Sequence, residues 1–410
     1  MKIGKTERKL GVAIIGNGML TVAGFIALLL VGRYLGKEAL GIYTFFLSIV
    51  MISSFVGGLG LADTITKLIA IDNKNKQLAT KFLKIIFISS IIIVCIIRWI
   101  SNIYNLTPDI NWFWLFVALQ AIGSAMLAIP GSILRALNKI TIYFKIYLLI
   151  RIFFVITIIG VIISGSSIST ILLLQGISVV LILIFVLYWF ISKKHISLSA
   201  TVTAPKNKIY LNMMLIAVSF YAIYNIDKIA IKYILDFTEL GLFSAYASVI
   251  NSIRLIAPAF PFILLPAAAK NKYQLGKSLK KLSMFLIPLM LAVSFGGYFV
   301  VPIIYGSEYV APLKLPILIG ISSALLVVYA LIAGIFAGEC KETRFKSLIL
   351  IADALTSTLL NIALNIYLLK NLGMIGSPIA TSIIIILKII ILSFGYSKLK
   401  NDTNNNSNKR

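Results

Sequence analysis

Apolar runs of about twenty residues, each long enough for a helix to cross the ~30 Å hydrocarbon core of a bilayer, recur along the whole chain of 410 residues. Short polar segments separate them. Hydrophobic residues make up 60% of the chain and charged residues only 12%, against roughly 25% in a soluble domain. The sequence therefore predicts a polytopic membrane protein.

Charged residues, glycines and prolines bound the apolar runs and predict twelve transmembrane helices. No sheet is expected, because an open strand in lipid would leave backbone groups without hydrogen-bond partners. The first run, Val12 to Val31, is too long for the hydrophobic region of a cleaved signal peptide, so it counts as a span. The spans lie near residues 11–32, 40–66, 82–100, 112–134, 146–164, 168–191, 209–234, 240–267, 282–304, 314–336, 346–369 and 374–395. The predicted fold class is an all-α integral membrane protein.

The basic residues predict the orientation. Of the 38 lysines and arginines, 28 fall in the N-terminus, the C-terminal tail and every second loop. By the positive-inside rule these segments are cytoplasmic, so both termini are expected in the cytoplasm. The same face should attract anionic membrane lipids. Nucleic acid is not an expected partner, because the basic residues alternate with hydrophobic runs and form no basic domain.

A polar linker divides the spans into two sets of six. The predicted units are an N-terminal six-helix bundle (1–191), a cytoplasmic linker (192–208), a C-terminal six-helix bundle (209–397) and a disordered cytoplasmic tail (398–410). The tail is polar and of low complexity, which is typical of disorder.

The two halves share a repeated segment. ALGIYTFFLSIV (39–50) recurs as ELGLFSAYASVI (239–250), and Leu40, Gly41 and Ser48 are unchanged at an offset of 200. Lys139 and Thr141 recur as Lys341 and Thr343 at an offset of 202. Since six is an even number of spans, both halves must insert in the same direction. The repeat is therefore expected to be parallel, with a pseudo-twofold axis along the membrane normal. The two bundles are expected to form a V with a central cavity, and the two copies of the segment are expected to be equivalent walls of that cavity.

Matching breaks in the second and eighth spans predict bends near that cavity. The second span carries Gly57, Gly58 and Gly60, and the eighth carries Pro258, Pro261 and Pro266 at the equivalent place. Interrupted helices at matching positions often mark a transporter's binding site. A kink made only for packing is the alternative.

Charged residues inside spans are candidate functional residues, because their insertion costs ~2.5–3.5 kcal/mol each. Arg254 lies near the middle of the eighth span, so it is expected to face a wet cavity or an acid. Asp227 and Lys228 lie in the outer third of the seventh span, where they either serve a site or neutralise charge locally. Arg151 and Lys388 lie within two turns of the cytoplasm, and snorkelling to the surface explains them better than function does.

The eleventh span carries a polar row with a spacing of four residues, which keeps its members on one slowly drifting face. The row consists of Asp353, Ser357, Asn361 and Asn365. Hydrogen bonding to neighbouring helices is the favoured interpretation. Within the row only Asp353 could bind a coupling cation. Asp63 lies in a similar place, toward the cytoplasmic end of the second span.

Several kinds of site find no support in the sequence. It has no GxxxxGK[ST] phosphate loop, so ATP is not expected to be the direct energy source. Cys95, Cys340 and His195 have no metal-ligand spacing, and no nucleophile–base motif stands out. Neither a metal, a cofactor nor a catalytic residue is therefore predicted, and the protein is not expected to be an enzyme.

Four segments together resemble the Wzx-type polysaccharide flippases of the multidrug/oligosaccharidyl-lipid/polysaccharide exporter superfamily. They are RYLGKEALGIYTFFLSIV (33–50), IDKIAIKYILDFTELGLFSAYASV (226–249), IIYGSEYVAPLKLPIL (303–318) and CKETRFKSLILIADALTSTLLNIALNIYLLKNLGMIGSPIATSI (340–383). The resemblance implies a multi-pass protein of the bacterial inner membrane. It would flip undecaprenyl-diphosphate-linked oligosaccharide, such as an O-antigen unit of lipopolysaccharide, to the outer leaflet by alternating access. Polysaccharide polymerase and chain-length proteins are the implied partners.

An anionic diphosphate head group needs a cationic, hydrated cavity. The residues predicted to line it, between the first, second, seventh and eighth spans, are Arg254, Lys228 and Arg33. The candidates for cation coupling, among which spacing does not choose, are Asp63, Asp227 and Asp353.

Three other classes of protein remain as alternatives. A cation-coupled multidrug antiporter of the same superfamily would share the fold and favour acidic cavity residues. A lipid II flippase would be expected to add a further helix pair. A membrane polymerase or glycosyltransferase would be expected to carry catalytic acids on a long outer loop.

Overall fold

The computed structural model describes residues 5–62, 65, 79–137, 139–192, 207–250, 252–253, 275–339 and 343–407. Within these ranges the chain is helical apart from short turns and contains no β-strand, which confirms the all-α prediction. Nine segments of this part of the chain are apolar and long enough to cross a membrane.

Twelve α-helices carry labels in chain order. They are α1 Lys5–Gly57, α2 Ala79–Ile103, α3 Phe113–Ala136, α4 Ile140–Ser164, α5 Ile168–Ser192, α6 Asn207–Ile234, α7 Phe237–Ile250, α8 Leu275–Tyr305, α9 Lys314–Glu339, α10 Arg344–Leu355, α11 Asn361–Leu372 and α12 Gly376–Ser407. A π-helical segment, Thr356–Leu360, joins α10 to α11, and a 3-10 turn, Gly373–Ile375, joins α11 to α12.

Two of the apolar segments are long enough for two crossings each. The stretch Gly18–Gly58 has 41 residues, or ~60 Å of helix. Gly36 breaks α1 within it, at φ 84 and ψ 178, a conformation that glycine adopts without steric cost. It divides α1 into a first and a second arm. The stretch Arg344–Leu399 has 56 residues and is broken at Gly373, where φ is 61. Because the eighth predicted span is described only as α7 and residues 252–253, the count of twelve spans stays a prediction.

Most helix ends lie within a few residues of the predicted ends. The largest difference is at α12, which continues to Ser407 and so covers most of the tail that the sequence predicts to be disordered. Extending a helix costs less than nucleating one, so the long apolar part of α12 can carry an Asn-rich extension.

The two copies of the repeated segment pack directly against each other at their starts. A Cβ atom on Gly41 would overlap the carbonyl oxygen of Phe237, and one on Gly241 would overlap that of Lys37. These two contacts are equivalent at an offset of 200, and the hydroxyl of Ser244 donates to that of Thr44 at 3.0 Å. Reciprocal contacts of this kind are what a twofold axis produces. Small residues permit the close approach of the backbones.

Other hydrogen bonds also join the halves at this end of the bundle, called here the turn face because it carries Gly36, Leu235–Asp236 and the loops 104–112 and 306–313. The opposite end, where α5 ends at Ser192 and α6 begins at Asn207, is called the linker face. At the turn face the Tyr309 hydroxyl donates to the carbonyl of Gly32 at 2.9 Å. The Lys232 ammonium donates to the carbonyl of Asn105 at 2.9 Å.

The buried core follows the same division. Near the turn face one apolar cluster joins the halves and includes Phe45, Phe46 and Tyr246. Toward the linker face the core separates into a cluster of the N-terminal half around Ile133 and one of the C-terminal half around Phe336. The described helices are thus closed at the turn face, and the two cores diverge toward the linker face.

Candidate functional site

A basic cavity lies in the N-terminal half. It has a volume of about 430 Å³, and α3, α4, α5 and the second arm of α1 form most of its wall. Two arginines, Arg135 and Arg151, face it, together with uncharged polar side chains. These are Ser54, Gln120, Ser124, Tyr143 and Tyr147. None of the described residues that line the cavity is acidic. The cavity therefore presents positive charge within the membrane-spanning region.

Arg151 lies in the interior of α4, about 16 Å along the helix from Ile140. Its side chain is half-buried, and its Nη1 atom lies 3.8 Å from the position that a Cβ on Gly24 would take. The guanidinium group thus lies beside the first arm of α1 at an ordinary contact distance. Nearby, the Gln175 amide donates to the hydroxyl of Tyr43 at 2.9 Å. Arg151 was expected to extend its side chain to the cytoplasmic surface, whereas the structure places it on the wall of this cavity.

Arg135 lies in the last turn of α3, close to the linker face. Its guanidinium carbon lies 5.8 Å from the ring centre of Tyr143, which is within the range of a cation–π contact. Gly131 makes room for the two cavity tyrosines, since a Cβ there would lie 2.9 Å from the Tyr147 hydroxyl. The Tyr147 hydroxyl donates to the carbonyl of Leu127 at 3.3 Å. The arrangement can hold an anion and donate hydrogen bonds to it.

Sequence reasoning missed both arginines as site residues, although a signal was there. Arg135 belongs to a basic segment that the positive-inside rule places in the cytoplasm, and Arg151 was expected to snorkel to the cytoplasmic surface. The two residues lie on consecutive helices, since α3 ends at Ala136 and α4 begins at Ile140. A pair of consecutive antiparallel helices can place such residues on one cavity wall. The sequence signal is therefore two arginines near the facing ends of consecutive spans.

The structure places the predicted substrate-binding residues in different regions. Arg33 lies exposed at the turn face, where its Nη1 donates to the carbonyl of Ile303 at 3.3 Å. Lys228 and Asp227 line a small pocket of about 30 Å³ with Ser322 and Thr381, to which Arg33 does not contribute. That volume is about what one water molecule needs. Arg254 lies outside the described residues, so the site that the sequence predicts for these three basic residues stays a prediction.

Asp353 lies in a buried polar cluster of the C-terminal half. The ammonium of Lys388 in α12 lies 3.1 Å from its Oδ2 atom, and both side chains are almost fully buried. The Tyr329 hydroxyl donates to the same carboxylate at 2.9 Å. Ser219 and Ser357 hydrogen-bond to Lys388 as well. The snorkelling prediction for Lys388 is therefore wrong, because the polar residues of α6, α9 and α10 offer its ammonium group partners inside the bundle.

The polar row of the eleventh span behaves in part as expected. Asp353 and Ser357 bond to side chains of other helices, as the sequence predicts. Asn365 instead donates to the side chain of Asn361 on its own helix, at 2.8 Å. The π-helical segment Thr356–Leu360 shifts the register between these pairs.

The predicted bend of the second span lies partly within the described residues. The second arm of α1 ends at Gly57, and residues 58–60 form a turn in which Leu59 and Gly60 have φ values of 50 and 65. Gly58 and Gly60 line the basic cavity. The prolines expected to bend the eighth span, Pro258, Pro261 and Pro266, lie outside the described residues, as does Asp63.

Apolar segments long enough to span a membrane, helices closed at the turn face and a polar cavity among them define the class: a multi-pass membrane protein. The family model "Polysaccharide biosynthesis protein" matches residues 30–313, which is more than half of the chain. The chain belongs to this family, and the resemblance to polysaccharide transporters is thereby confirmed. Among curated proteins, none matches the sequence.

Solved structures of several transporters share the fold. The lipid II flippase MurJ in its inward closed conformation is 17% identical, with a TM-score of 0.67 over 93% of this chain and 87% of that chain. The eukaryotic MATE transporter AtDTX14 is 15% identical, with a TM-score of 0.68 over 95% of each chain. A MOP-superfamily transporter from Pyrococcus furiosus, described by the reverse polarity of its binding pocket, is 14% identical, with a TM-score of 0.54 over 97% of each chain. At such identities the likeness shows the fold alone.

Proposed function

We propose that the protein is a flippase for undecaprenyl-diphosphate-linked oligosaccharide, the repeat unit of O-antigen or another surface polysaccharide. The observation that carries the proposal is the basic cavity, where Arg135 and Arg151 face a space that no described acidic residue lines. A diphosphate head group is anionic, and arginine binds phosphate oxygens through charge-assisted hydrogen bonds. Membership of a polysaccharide biosynthesis family supports a carbohydrate-linked substrate.

The uncharged part of the cavity wall suits the rest of the head group. Gln120 and Ser124 can exchange hydrogen bonds with sugar hydroxyls, and the rings of Tyr143 and Tyr147 offer flat faces for sugar rings. The cationic groups are positioned before the substrate arrives, which lowers the cost of binding. The substrate would thus be held by charge at the diphosphate and by hydrogen bonds at the sugars.

The closed turn face and the diverging cores support an alternating-access mechanism. If the linker face is cytoplasmic, as the basic loops predict, the head group would enter the basic cavity from the cytoplasm. The two halves would then rock about the cavity and open at the turn face. An inside-negative potential favours the outward movement of anionic charge, by ~2.3 kcal/mol per charge per 100 mV.

Residues of the C-terminal half complete the proposal. Arg254 corresponds to Ser54 at the offset of 200, and Ser54 lines the basic cavity. We therefore retain Arg254 as a head-group ligand contributed by the second half, with Lys228 as a further candidate and Arg33 as a residue that the head group would meet only after the turn face opens. Asp63, Asp227 and Asp353 stay proposals for cation coupling. The inner membrane, a cytoplasmic position for both termini, and polymerase and chain-length proteins as partners belong to the same proposal.

Complementation tests the proposed function. In a bacterial strain that lacks its own flippase, expression of the chain should restore surface glycan, and Arg254→Ala should abolish the restoration while the protein still inserts in the membrane. Insertion is checked by the amount of protein in the membrane fraction. Resistance to cationic drugs without glycan display would favour the multidrug antiporter instead. Normal glycan with Arg254→Ala would remove Arg254 from the site.

A further inference from the structure

A second space lies between the halves, toward the turn face from the basic cavity. Its volume is about 670 Å³, and its walls are α2, α6, α11, the π-helical segment and the second arm of α1. The described residues that line it are mostly aliphatic or aromatic, and none is charged. We call it the apolar groove. Such a wall suits a hydrocarbon chain, whereas a polar group placed there would find almost no hydrogen-bond partners.

The dimensions of the apolar groove fit a lipid chain. Along α6 its lining residues extend from Val218 to Tyr233, a rise of fifteen residues or ~22 Å, which is most of the ~30 Å hydrocarbon core. Ile362 on its wall is 43% exposed, so the groove opens sideways toward lipid. At its far end the rings of Tyr104 and Tyr233 meet edge to face with centres 5.7 Å apart. Tyrosines are typical of the membrane–water interface, which places this end at the surface of a leaflet.

The apolar groove and the basic cavity share two lining residues, Phe55 and Tyr221. Their rings are stacked, with centres 3.1 Å apart and planes 16° apart. Phe55 belongs to the second arm of α1 and Tyr221 to α6, so the stack joins the N-terminal half to the C-terminal half. Any movement that widens the space between the halves at this level must separate the two rings. The stack therefore lies where a polar space and an apolar space meet.

We propose that the apolar groove receives the isoprenoid chain of the lipid-linked substrate while its diphosphate still lies in the basic cavity, and that the Phe55–Tyr221 stack is the aperture between the two spaces. The proposal rests on the proposed function, which supplies an amphiphilic substrate. The two spaces adjoin at Phe55 and Tyr221, and this adjacency favours an occupant with both an anionic head and a long apolar chain, because such a molecule can fill both. The groove then guides the chain toward the leaflet at the turn face.

Photo-crosslinking tests the occupant. A photoreactive benzoylphenylalanine replaces Ile362 in the groove or, as a control, Ile386 on α12, which is 45% exposed but does not line the groove. The purified full-length protein in phosphatidylglycerol vesicles is illuminated with undecaprenyl diphosphate that carries a ³²P label. Labelling at position 362 should exceed labelling at position 386 by about tenfold, and excess unlabelled undecaprenyl diphosphate should suppress it.

Two results would overturn the proposed occupant. Equal labelling at both positions would mean that the groove is ordinary lipid-facing surface. Labelling at position 362 that excess phosphatidylglycerol suppresses equally well would mean that the groove holds phospholipid acyl chains. Failure of the proposed function is a separate outcome: position 362 would be labelled as expected, but expression of the protein would not restore glycan display.

A reversible cross-link tests the aperture. Cysteines replace Phe55 and Tyr221 in a chain whose Cys95 and Cys340 are changed to serine, and a bifunctional methanethiosulfonate reagent bridges them. Flipping of undecaprenyl-diphosphate-linked oligosaccharide in vesicles should fall by about tenfold or more and recover with reductant. The reference is the same double-cysteine protein, measured before it is bridged and again after reductant has removed the bridge. A bridged protein that flips as fast as the same protein after reductant treatment would show that the rings need not separate.

If the cysteine pair does not fold, a photoreactive residue at position 55 gives an independent measurement. It lies between the two spaces, so it should label undecaprenyl diphosphate, and Arg151→Gln should weaken that labelling. Labelling that is unchanged by Arg151→Gln would separate the groove from the basic cavity and contradict the proposal.

Discussion

The two halves each enclose a basic group among apolar helices, but they surround it differently. In the N-terminal half Arg151 faces a polar cavity that no described acidic residue lines. In the C-terminal half Lys388 is fully buried and lies 3.1 Å from the Asp353 carboxylate. The first group can take up an anionic ligand. The second is already neutralised, so it is suited to holding α12 against α10.

The repeat sharpens this contrast. At the offset of 202 that relates Lys139 to Lys341, Arg151 corresponds to Asp353. Equivalent positions of the two halves therefore carry opposite charges. The backbone contacts of Gly41 and Gly241, in comparison, are reciprocal. The symmetry is kept where the halves pack and lost where charge lies inside them, so the described arginines of the proposed anion site belong to the N-terminal half.

The largest expected effect comes from breaking the neutral pair. Lys388→Met leaves the Asp353 carboxylate buried without its cation, and loss of one partner of a buried ion pair costs about 3–5 kcal/mol. The protein should unfold at a clearly lower temperature, measured as the thermal midpoint in detergent. If the pair only stabilises the fold, the thermal midpoint should recover in part when both charges are removed.

The double variant Lys388→Met with Asp353→Asn is that control. The amide at position 353 can still accept a hydrogen bond from Tyr329, so most of the lost stability should return. If the double variant is as stable as the natural protein but does not flip substrate, the pair takes part in transport and the contrast between the halves is wrong.

The second largest effect is expected at Arg151, the arginine that faces the basic cavity. Arg151→Gln removes a cationic group from the basic cavity but leaves a hydrogen-bond donor, so binding of undecaprenyl diphosphate should weaken by about a hundredfold, or ~2.7 kcal/mol. Stability should change little, because the side chain is half-buried and has no described acidic partner. Binding is measured with purified protein in detergent, and glycan display in the complemented strain.

Two variants serve as controls for Arg151. Arg151→Lys keeps the charge and should retain part of the affinity, since lysine binds phosphate as a point charge without the planar fork of arginine. Arg98→Gln changes an exposed arginine of the same half that does not line the basic cavity and should bind normally. Equal losses in Arg98→Gln and Arg151→Gln would point to general surface charge.

The sequence predicts most of the described helices but not what surrounds the charged residues inside them. Hydropathy predicts a spanning helix from local residues, so α3 and α5 end within a few residues of their predicted ends. Whether a basic residue faces a cavity or is neutralised by an acidic residue depends on partners that are far away in the sequence. Lys388 meets Asp353 and Ser219, which are 35 and 169 residues away. No local pattern distinguishes it from Arg151, so both were assigned to snorkelling.

The repeat itself shows another limit of the sequence. The matching copies predict equivalent walls of a cavity, whereas the structure places the starts of both copies in contact with each other. An offset of 200 reveals that two segments are equivalent. It does not reveal whether they face a shared space or each other, because that depends on how far the symmetry axis lies from the helix.

The third effect tests the symmetric part of the comparison. Gly41→Ala and Gly241→Ala each place a methyl group against a backbone carbonyl of the other half, and overpacking of this kind costs about 1–3 kcal/mol. The two variants should lower the thermal midpoint by similar amounts. Gly160→Ala is the control, since a Cβ there meets no other atom within 4 Å. Clearly different losses at positions 41 and 241 would show that the packing has diverged as the charges have.

The smallest effect is expected at the turn face. Arg33 is exposed and donates one hydrogen bond, to the carbonyl of Ile303 across the two halves. An exposed interaction of this kind contributes about 1 kcal/mol or less, so Arg33→Gln should leave binding of undecaprenyl diphosphate unchanged and alter the flipping rate by no more than about fivefold. Because the bond closes the turn face, its loss should ease opening there, and the rate should rise if opening limits transport. Flipping is measured in vesicles at saturating substrate. A loss of binding as large as that of Arg151→Gln would instead restore Arg33 as a head-group ligand and extend the basic site to the turn face.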